Sequence, residues 1–368
     1  MITFEHSKKL INIMHIDNCM GLFENMLNSE ESLIKDDTAL DYEFIPKLIK
    51  YRENEQQHIA SCLKPLFQQR SGRNLLICGS PGIGKTVAVK HVLQELEEET
   101  DEIEVFFINC WHHNTTYKIL LEISNLFGYV FTQNKKTVEL YNLLQEKLSA
   151  TPCVFVFDEI DKVDDTDFLY FILEKIIKKS IFLITNYKSW LADLDIRVKS
   201  RLMAEILEFK EYTSAETKGI LDWRKDYAFA KNVWELDAFS LVAKKTYSLG
   251  DIRAGLFLLK ESALIAEESL SKKIIKKHVE TSIEKLDKFT IKNSESLDKE
   301  SKNIFEIIKQ HSNTKIGELF KIYQDNTGSL SYKSFQRRIA KLDEGKFISI
   351  AKQTGAGGNT TIIKLRHN

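Results

Sequence analysis

Residues 79–86 read Gly79-Ser80-Pro81-Gly82-Ile83-Gly84-Lys85-Thr86, a G-x-x-x-x-G-K-T loop. No other stretch of the chain restricts its fold so sharply. Three glycines let the backbone turn tightly and aim several N–H groups into one concavity, which suits a phosphate. The loop works with a strand behind it and a helix ahead, whose N-terminus adds partial positive charge. Both are present: residues 74–78 (NLLIC) form a short apolar run, and residues 86–99 have helical patterning. In this context Lys85 is expected on the β- and γ-phosphates of a nucleotide and Thr86 on magnesium. Gly79 to Thr86, with Val87, form the expected ATP/ADP cradle.

Three more apolar runs repeat the strand pattern, at 105–109 (VFFIN), 154–157 (VFVF) and 181–185 (IFLIT). Runs that are apolar on both faces belong to parallel sheets. Helical stretches at 86–99, 117–126, 138–148 and 167–178 alternate with them, which predicts an α/β fold. From 215 to 288 no strand-like run occurs. Leu241, Val242, Leu256, Leu259, Ala263 and Ile265 recur there at helical spacing and predict a separate helical domain. Residues 287–299 (DKFTIKNSESLDK) are polar and linker-like.

The third apolar run ends in acids, Asp158-Glu159-Ile160-Asp161. Asp158 stands where a magnesium-holding carboxylate belongs, and Glu159 where a base can orient water toward a γ-phosphate. Asn186 closes the next strand and could hold that water, although asparagine at a strand end also suits a turn. Arg201, in LDIRVKSRL, could neutralise γ-phosphate charge, its own or a neighbour's, or stand as a solvated arginine. Arg253, in GDIR of the helical part, could reach back to the nucleotide across the cleft.

The last seventy residues read as a third unit. Helices are expected at 299–311, 315–323 and 331–342, then strands at 347–352 and 360–365 around a Gly-rich tip at 354–359. In the third helix Phe335, Ile339 and Leu342 share one face, while Lys333, Arg337 and Lys341, with Gln336, share another. That is a winged-helix arrangement whose basic face, joined by wing residues Lys352 and Asn359, suits a DNA groove, although winged helices also serve as protein-contact modules and such a face can be merely solvated. Charge agrees: the chain has 52 Lys+Arg and 53 Asp+Glu, yet residues 295–368 have 13 against 8, leaving −6 elsewhere. No apolar run approaches the ~18 residues that span a bilayer, and residues 1–20 carry no signal-peptide core. Cys19, Cys62, Cys78, Cys110 and Cys153 are scattered and lack C-x-x-C. That spacing argues against a disulfide framework and a zinc site, and for a reducing cytoplasm.

Together these residues resemble the AAA+ superfamily and, within it, the archaeal origin-recognition initiators related to eukaryotic Orc and Cdc proteins. The resemblance also rests on Phe44-Ile45-Pro46 with Tyr51-Arg52-Glu53, on Asn109-Cys110 with Thr116-Tyr117-Lys118-Ile119-Leu120, and on Gly250-Asp251-Ile252-Arg253-Ala254-Gly255-Leu256. It implies an AAA+ P-loop parallel-sheet domain with a helical lid, followed by a C-terminal winged helix. The expected division is an N-terminal extension (1–43), a base (44–212), a lid (213–290) and a winged helix (295–368). Asn186 becomes sensor 1, Arg253 sensor 2 and Arg201 a candidate arginine finger. A DNA-contacting insertion is expected near 127–136 (FGYVFTQNKK), which lacks the family's Pro/Gly pattern, and Tyr187 replaces the family's small residue after the sensor. The implied activity is weak, switch-like ATP hydrolysis with Mg2+. The implied partners are double-stranded origin DNA, the replicative helicase and other initiator subunits, with no membrane and a cytoplasmic, nucleoid-associated location. The alternatives are an AAA+/winged-helix ATPase of a mobile or defence element, and a nucleotide-stabilised scaffold without turnover.

Overall fold

The computed structural model describes residues 32–365 except 130–134, 150, 296, 312, 313, 327, 329, 345, 346, 356 and 357. Five strands build a parallel sheet: β1 (Leu75–Cys78), β2 (Glu104–Asn109), β3 (Cys153–Asp158), β4 (Lys179–Thr185) and β5 (Glu205–Glu208). Their spatial order is β2-β3-β4-β1-β5, so β1 and β4 pair at the centre, Cys78 opposite Thr185. Every residue of β3 is buried, because helices cover both faces of the sheet. Its side chains alternate: Val154 and Val156 enter one core, Phe155 and Phe157 the other. The first core holds α1 (Glu53–Leu63) and α2 (Lys85–Glu99) through Ile59, Leu63, Val89, Val92 and Leu96. The second holds α3 (Thr116–Leu126), α4 (Thr137–Leu148), α5 (Asp167–Lys175) and, beyond a short α6 (Trp190–Asp193), α7 (Ile196–Leu202).

A third core lies in a four-helix unit of α8 (Ser214–Ala228), α9 (Leu236–Leu249), α10 (Ile252–Glu268) and α11 (Lys276–Glu295). Thr213 and Glu216 form a capping box that fixes where α8 starts. Leu33, Ala39 and Leu40, from ahead of the sheet domain, are buried in this same core. Arg224 holds them there by donating to the Ala39 carbonyl at 2.8 Å.

The C-terminal unit contains α12 (Lys299–Gln310), β6 (Thr314–Lys315), α13 (Ile316–Asp325), α14 (Tyr332–Glu344), β7 (Ile348–Gly355) and β8 (Gly358–Leu365). The strands form an antiparallel sheet in the order β6-β8-β7, and Phe335, Ile339 and Leu342 of α14 are buried with Ile304, Leu319 and Tyr323. This is the expected helix–helix–helix–hairpin order, with the extra strand β6 closing the sheet.

Four expectations need correction. The helix expected to reach 178 ends at Lys175, because Ile176 turns extended and buries itself ahead of β4. Strand β5 was not foreseen: its Glu-Ile-Leu-Glu sequence is half-exposed at the sheet edge and offers no apolar run. The stretch 287–299 is no linker through most of its length, since α11 continues to Glu295. The wing tip is shorter than 354–359, because β7 and β8 stay paired out to Gly355 and Gly358. Residues 1–31 of the N-terminal extension and 130–134 of the expected insertion lie outside the described residues. Among the described residues no helix is long and apolar enough to cross a membrane.

Candidate nucleotide cleft and nucleic-acid face

The carboxyl ends of β1, β3 and β4 converge on one cleft of about 390 Å³, as parallel strands deliver their site residues. β1 runs straight into the phosphate loop. Gly82 has φ +73° and Gly84, which precedes α2, has φ +86°; both lie where a side chain is strained. At Gly82 there is also no room, since a Cβ would meet Asp251 Oδ1 at 1.9 Å. α2 begins at Lys85, so the loop ends on a fifteen-residue helix with its N-terminus facing the cleft.

Lys85 is buried, and its ammonium donates to the Gly79 and Ser80 carbonyls at 2.8 and 2.9 Å and to Asn186 Oδ1 at 2.8 Å. Asn186 is thereby tied to the loop from the end of β4. Thr86 Oγ1 donates to Asp158 Oδ2 at 2.9 Å, which joins the start of α2 to the end of β3. Burial pushes the Asp158 carboxyl above the ordinary carboxylate range, and the Thr86 hydroxyl and Glu159 amide hydrogen bonds work against that rise. Glu159 lines the cleft beside it and adopts φ +54°, a left-handed conformation that is costly for a glutamate. A hydroxyl and a carboxylate in hydrogen-bond contact at the foot of a phosphate loop are hard oxygen donors, which fit magnesium.

The helical unit closes the cleft from the other side. The Ile252 amide, at the start of α10, donates to the Gly82 carbonyl at 3.2 Å. Arg253 faces the cleft and is bound to Asp251 by bonds of 2.8 and 3.0 Å, which raise its affinity for a proton further. Arg201 is the predicted residue that the fold does not bring to this cleft. It is exposed on α7 and stacks over Tyr170 at 5.1 Å, because Val198 and Leu202 anchor α7 in the second core. Arg201 is not among the residues that line this cleft.

Several cleft residues escaped the sequence reading. Tyr42, Glu43, Pro46 and Ile49 form one wall, and Ile220, Trp223 and Arg224 of α8 form another. Lys90 of α2 clasps the first wall through Glu43 at 2.8 Å. Arg224 donates to the Phe44 carbonyl at 3.2 Å and lies over the Phe44 ring, and desolvation lowers its pKa to about 10. Arg52 is buried behind the loop, donating to the Ile83 and Lys210 carbonyls and to Tyr212 Oη, with its guanidinium 4.0 Å from the Tyr212 ring. Only the Phe44–Pro46 and Tyr51–Glu53 resemblance pointed at these segments.

In the C-terminal unit, Lys333, Gln336, Arg337 and Lys341 are all exposed along α14, opposite its buried Phe335, Ile339 and Leu342. Lys352 and Asn359 belong to the hairpin strands, and their side chains lie outside the described residues.

A parallel sheet ordered this way, a phosphate loop after β1 beside the central strand, and a helical lid bonded to that loop define a P-loop module of the AAA+ class. Family models agree: residues 68–185 match the AAA domain, and residues 218–284 match the Cdc6 AAA+ ATPase-type lid domain. The chain is 30% identical to the ORC1-type DNA replication protein of Thermococcus kodakarensis, over 89% of this chain and 86% of that one. It is 26% identical to ORC1-type DNA replication protein 2 of Methanothermobacter thermautotrophicus, over 92% and 93%. Among solved structures it is similar to the Aeropyrum pernix ORC1 protein in complex with DNA, at 25% identity and TM-score 0.66, covering 92% of this chain and 95% of that one. The A. pernix ORC2 protein in its ADPNP–ADP complexes has the same fold, with TM-score 0.72 at 18% identity over the same shares. The chain belongs to the ORC1-type DNA replication protein family of AAA+ proteins.

Proposed function

We propose that this protein is an ATP-dependent DNA replication initiator, and that its working parts are a base (44–212), a lid (213–290) with residues 33–40 added to it, and a winged helix (295–368). The observation that carries the reading is the lid bonded to the phosphate loop itself, Ile252 to Gly82, so that the loop's occupant and the lid's position depend on each other. Gly79 to Val87 hold ATP or ADP, and Lys85 exchanges its carbonyl and Asn186 partners for β- and γ-phosphate oxygens. Thr86 and Asp158 would hold Mg2+, which when bound neutralises phosphate charge. Glu159 accepts a proton from the attacking water, Asn186 orients that water, and Arg253 leaves Asp251 to meet the γ-phosphate. Arg201 serves a neighbouring subunit's nucleotide. Turnover is slow, as suits a switch that holds a state.

Lys333, Gln336, Arg337 and Lys341 on α14 enter the major groove of double-stranded origin DNA, with Lys352 and Asn359 over the backbone. The solved relative in complex with DNA supports this reading. The DNA-bound protein then recruits the replicative helicase, with other initiator subunits, in the cytoplasm at the nucleoid. One paired experiment tests it. Glu159→Gln should bind ATP with native affinity and lose turnover, and deletion of residues 295–368 should abolish binding to a labelled duplex. Native hydrolysis in the first variant, or native duplex affinity in the second, would reject the corresponding half of the proposal.

A further inference from the structure

A second group of metal-ligating side chains lies away from the cleft, at the seam between α1 and the edge strand β5. His58 and Cys62 are one helical turn apart on α1, so both side chains leave the same face. Glu205, the first residue of β5, meets them there: its Oε2 is 3.3 Å from His58 Nε2. Among the described residues these three form the group whose donor atoms, one from each, all lie within 4.8 Å of one another. Three atoms so spaced share a point within about 2.8 Å of each, and zinc bonds nitrogen, sulfur and oxygen at about 2.0–2.3 Å. Small side-chain rotations close that gap.

The surroundings favour such a site. Arg73 donates Nη1 to Glu205 at 3.0 Å and Nη2 to Ser61 Oγ at 2.7 Å, while Ser61 donates to the His58 carbonyl at 2.7 Å. This brace holds the carboxylate toward α1, as outer partners of metal ligands do. Imidazole, thiol and carboxylate together prefer zinc-like cations over magnesium, whose site at Thr86 and Asp158 is all oxygen. Binding would exchange the Cys62 thiol proton for a metal–sulfur bond and release one proton.

We propose that His58, Cys62 and Glu205 are a three-ligand site for a borderline-soft divalent cation of the zinc class, with water in the fourth position, that clips β5 to α1. The clip would fasten an edge strand whose backbone ladder, among the described residues, pairs with β1 alone.

The test uses the tag-free full chain, stripped with a chelator and titrated with Co2+ as a spectroscopic probe. One equivalent should produce the near-ultraviolet thiolate-to-cobalt band, and Zn2+ should displace it. His58→Gln and Glu205→Gln alter half-exposed residues and should fold normally by circular dichroism. Each should weaken Co2+ at least tenfold, and Cys62→Ser should remove the band. Absence of the band at one equivalent, or a band of native affinity in both His58→Gln and Glu205→Gln, overturns the site. A band that survives Cys62→Ser would likewise overturn it, assigning the cobalt to another cysteine.

Discussion

Replacing Arg52 with methionine leaves a hydrocarbon stem of similar length and removes the guanidinium. That group is 4% exposed and donates to the Ile83 carbonyl at 3.1 Å, the Lys210 carbonyl, Tyr212 Oη at 3.1 Å and Glu55 at 3.0 Å. The buried Ile83 carbonyl costs about 1–3 kcal/mol on losing its donor, and the part-buried Lys210 carbonyl about 1 kcal/mol. The stacking on Tyr212 adds about 1–2 kcal/mol, since it is desolvated. Methionine recovers part of this by packing on Phe209 and Tyr212, so the net loss should be about 3–4 kcal/mol. At about 2–4 °C per kcal/mol for a unit of this size, the nucleotide-free midpoint should fall by roughly 10 °C. Ile83 sits inside the phosphate loop, so ATP affinity should fall as well. Arg52→Lys keeps the charge but cannot span both carbonyls and the ring, and should lose about half as much. Urea unfolding followed by circular dichroism, with ATP titration of the folded variants, measures both effects. A loss below about 1 kcal/mol in Arg52→Met would refute the idea that this cation holds the loop to the 209–212 segment.

Other outcomes follow from the same cleft and from α14. Lys85→Ala should abolish ATP binding by calorimetry. It should also cost about 1–2 kcal/mol in the nucleotide-free protein, because Lys85 ties Asn186 to the loop; an unchanged melt would deny that structural part. Burial raises the Asp158 pKa above its unfolded value, so the ionised carboxylate costs stability above the folded pKa, and the cost fades as pH falls through it. Asp158→Asn should therefore melt a few degrees higher than the parent near pH 8 without magnesium, with the gap closing toward pH 4, while magnesium-dependent ATP affinity drops. An Asn variant that melts lower at pH 8 would contradict burial as the dominant influence. Arg337→Ala should cost about 1–3 kcal/mol on a preferred duplex and relax specificity at one position, whereas Lys341→Ala should weaken all duplexes alike and lower the salt slope by about one. Equal losses for both on every duplex would remove the base-reading role from Arg337.

The phosphate loop and the acidic end of β3 were legible because each is a contiguous motif at the end of a fully buried strand. β1, β3 and β4 were legible as nearly fully buried apolar runs, and β2, partly buried at the opposite edge, through its apolar VFFI sequence; β5 was not, since Glu205 and Glu208 leave only two apolar residues between them. Residues whose roles depend on long-range placement stayed hidden. Nothing near Arg52 says that it will lie under Ile83, and nothing near Leu33 says that it will join a core completed by residues some two hundred positions later. Arg201 shows the converse: a promising local pattern, LDIRVKSR, is turned away from the cleft by the packing of Val198 and Leu202. The His58–Cys62–Glu205 group fell outside the C-x-x-C search because it holds a single cysteine, and its third member comes from a distant strand.

α11 was expected to give way to a loose tether, and its continuity changes how movement travels through the molecule. Its first twelve residues are gripped by the lid: Ser282 meets Ser262 at 2.9 Å, Lys285 pairs with Glu261, and Lys245 holds Asp287 at 2.9 Å. Only three residues then separate its end at Glu295 from the start of α12 at Lys299. Twenty residues of helix make a rod about 30 Å long. A 10° swing of the lid about an axis at the start of α11 would carry the far end of that rod by about 5 Å, more than the 3.4 Å step between stacked bases on a strand. A tether of the same length in coil would dissipate such a swing, whereas a continuous rod would pass it to the C-terminal unit as a displacement of base-pair size.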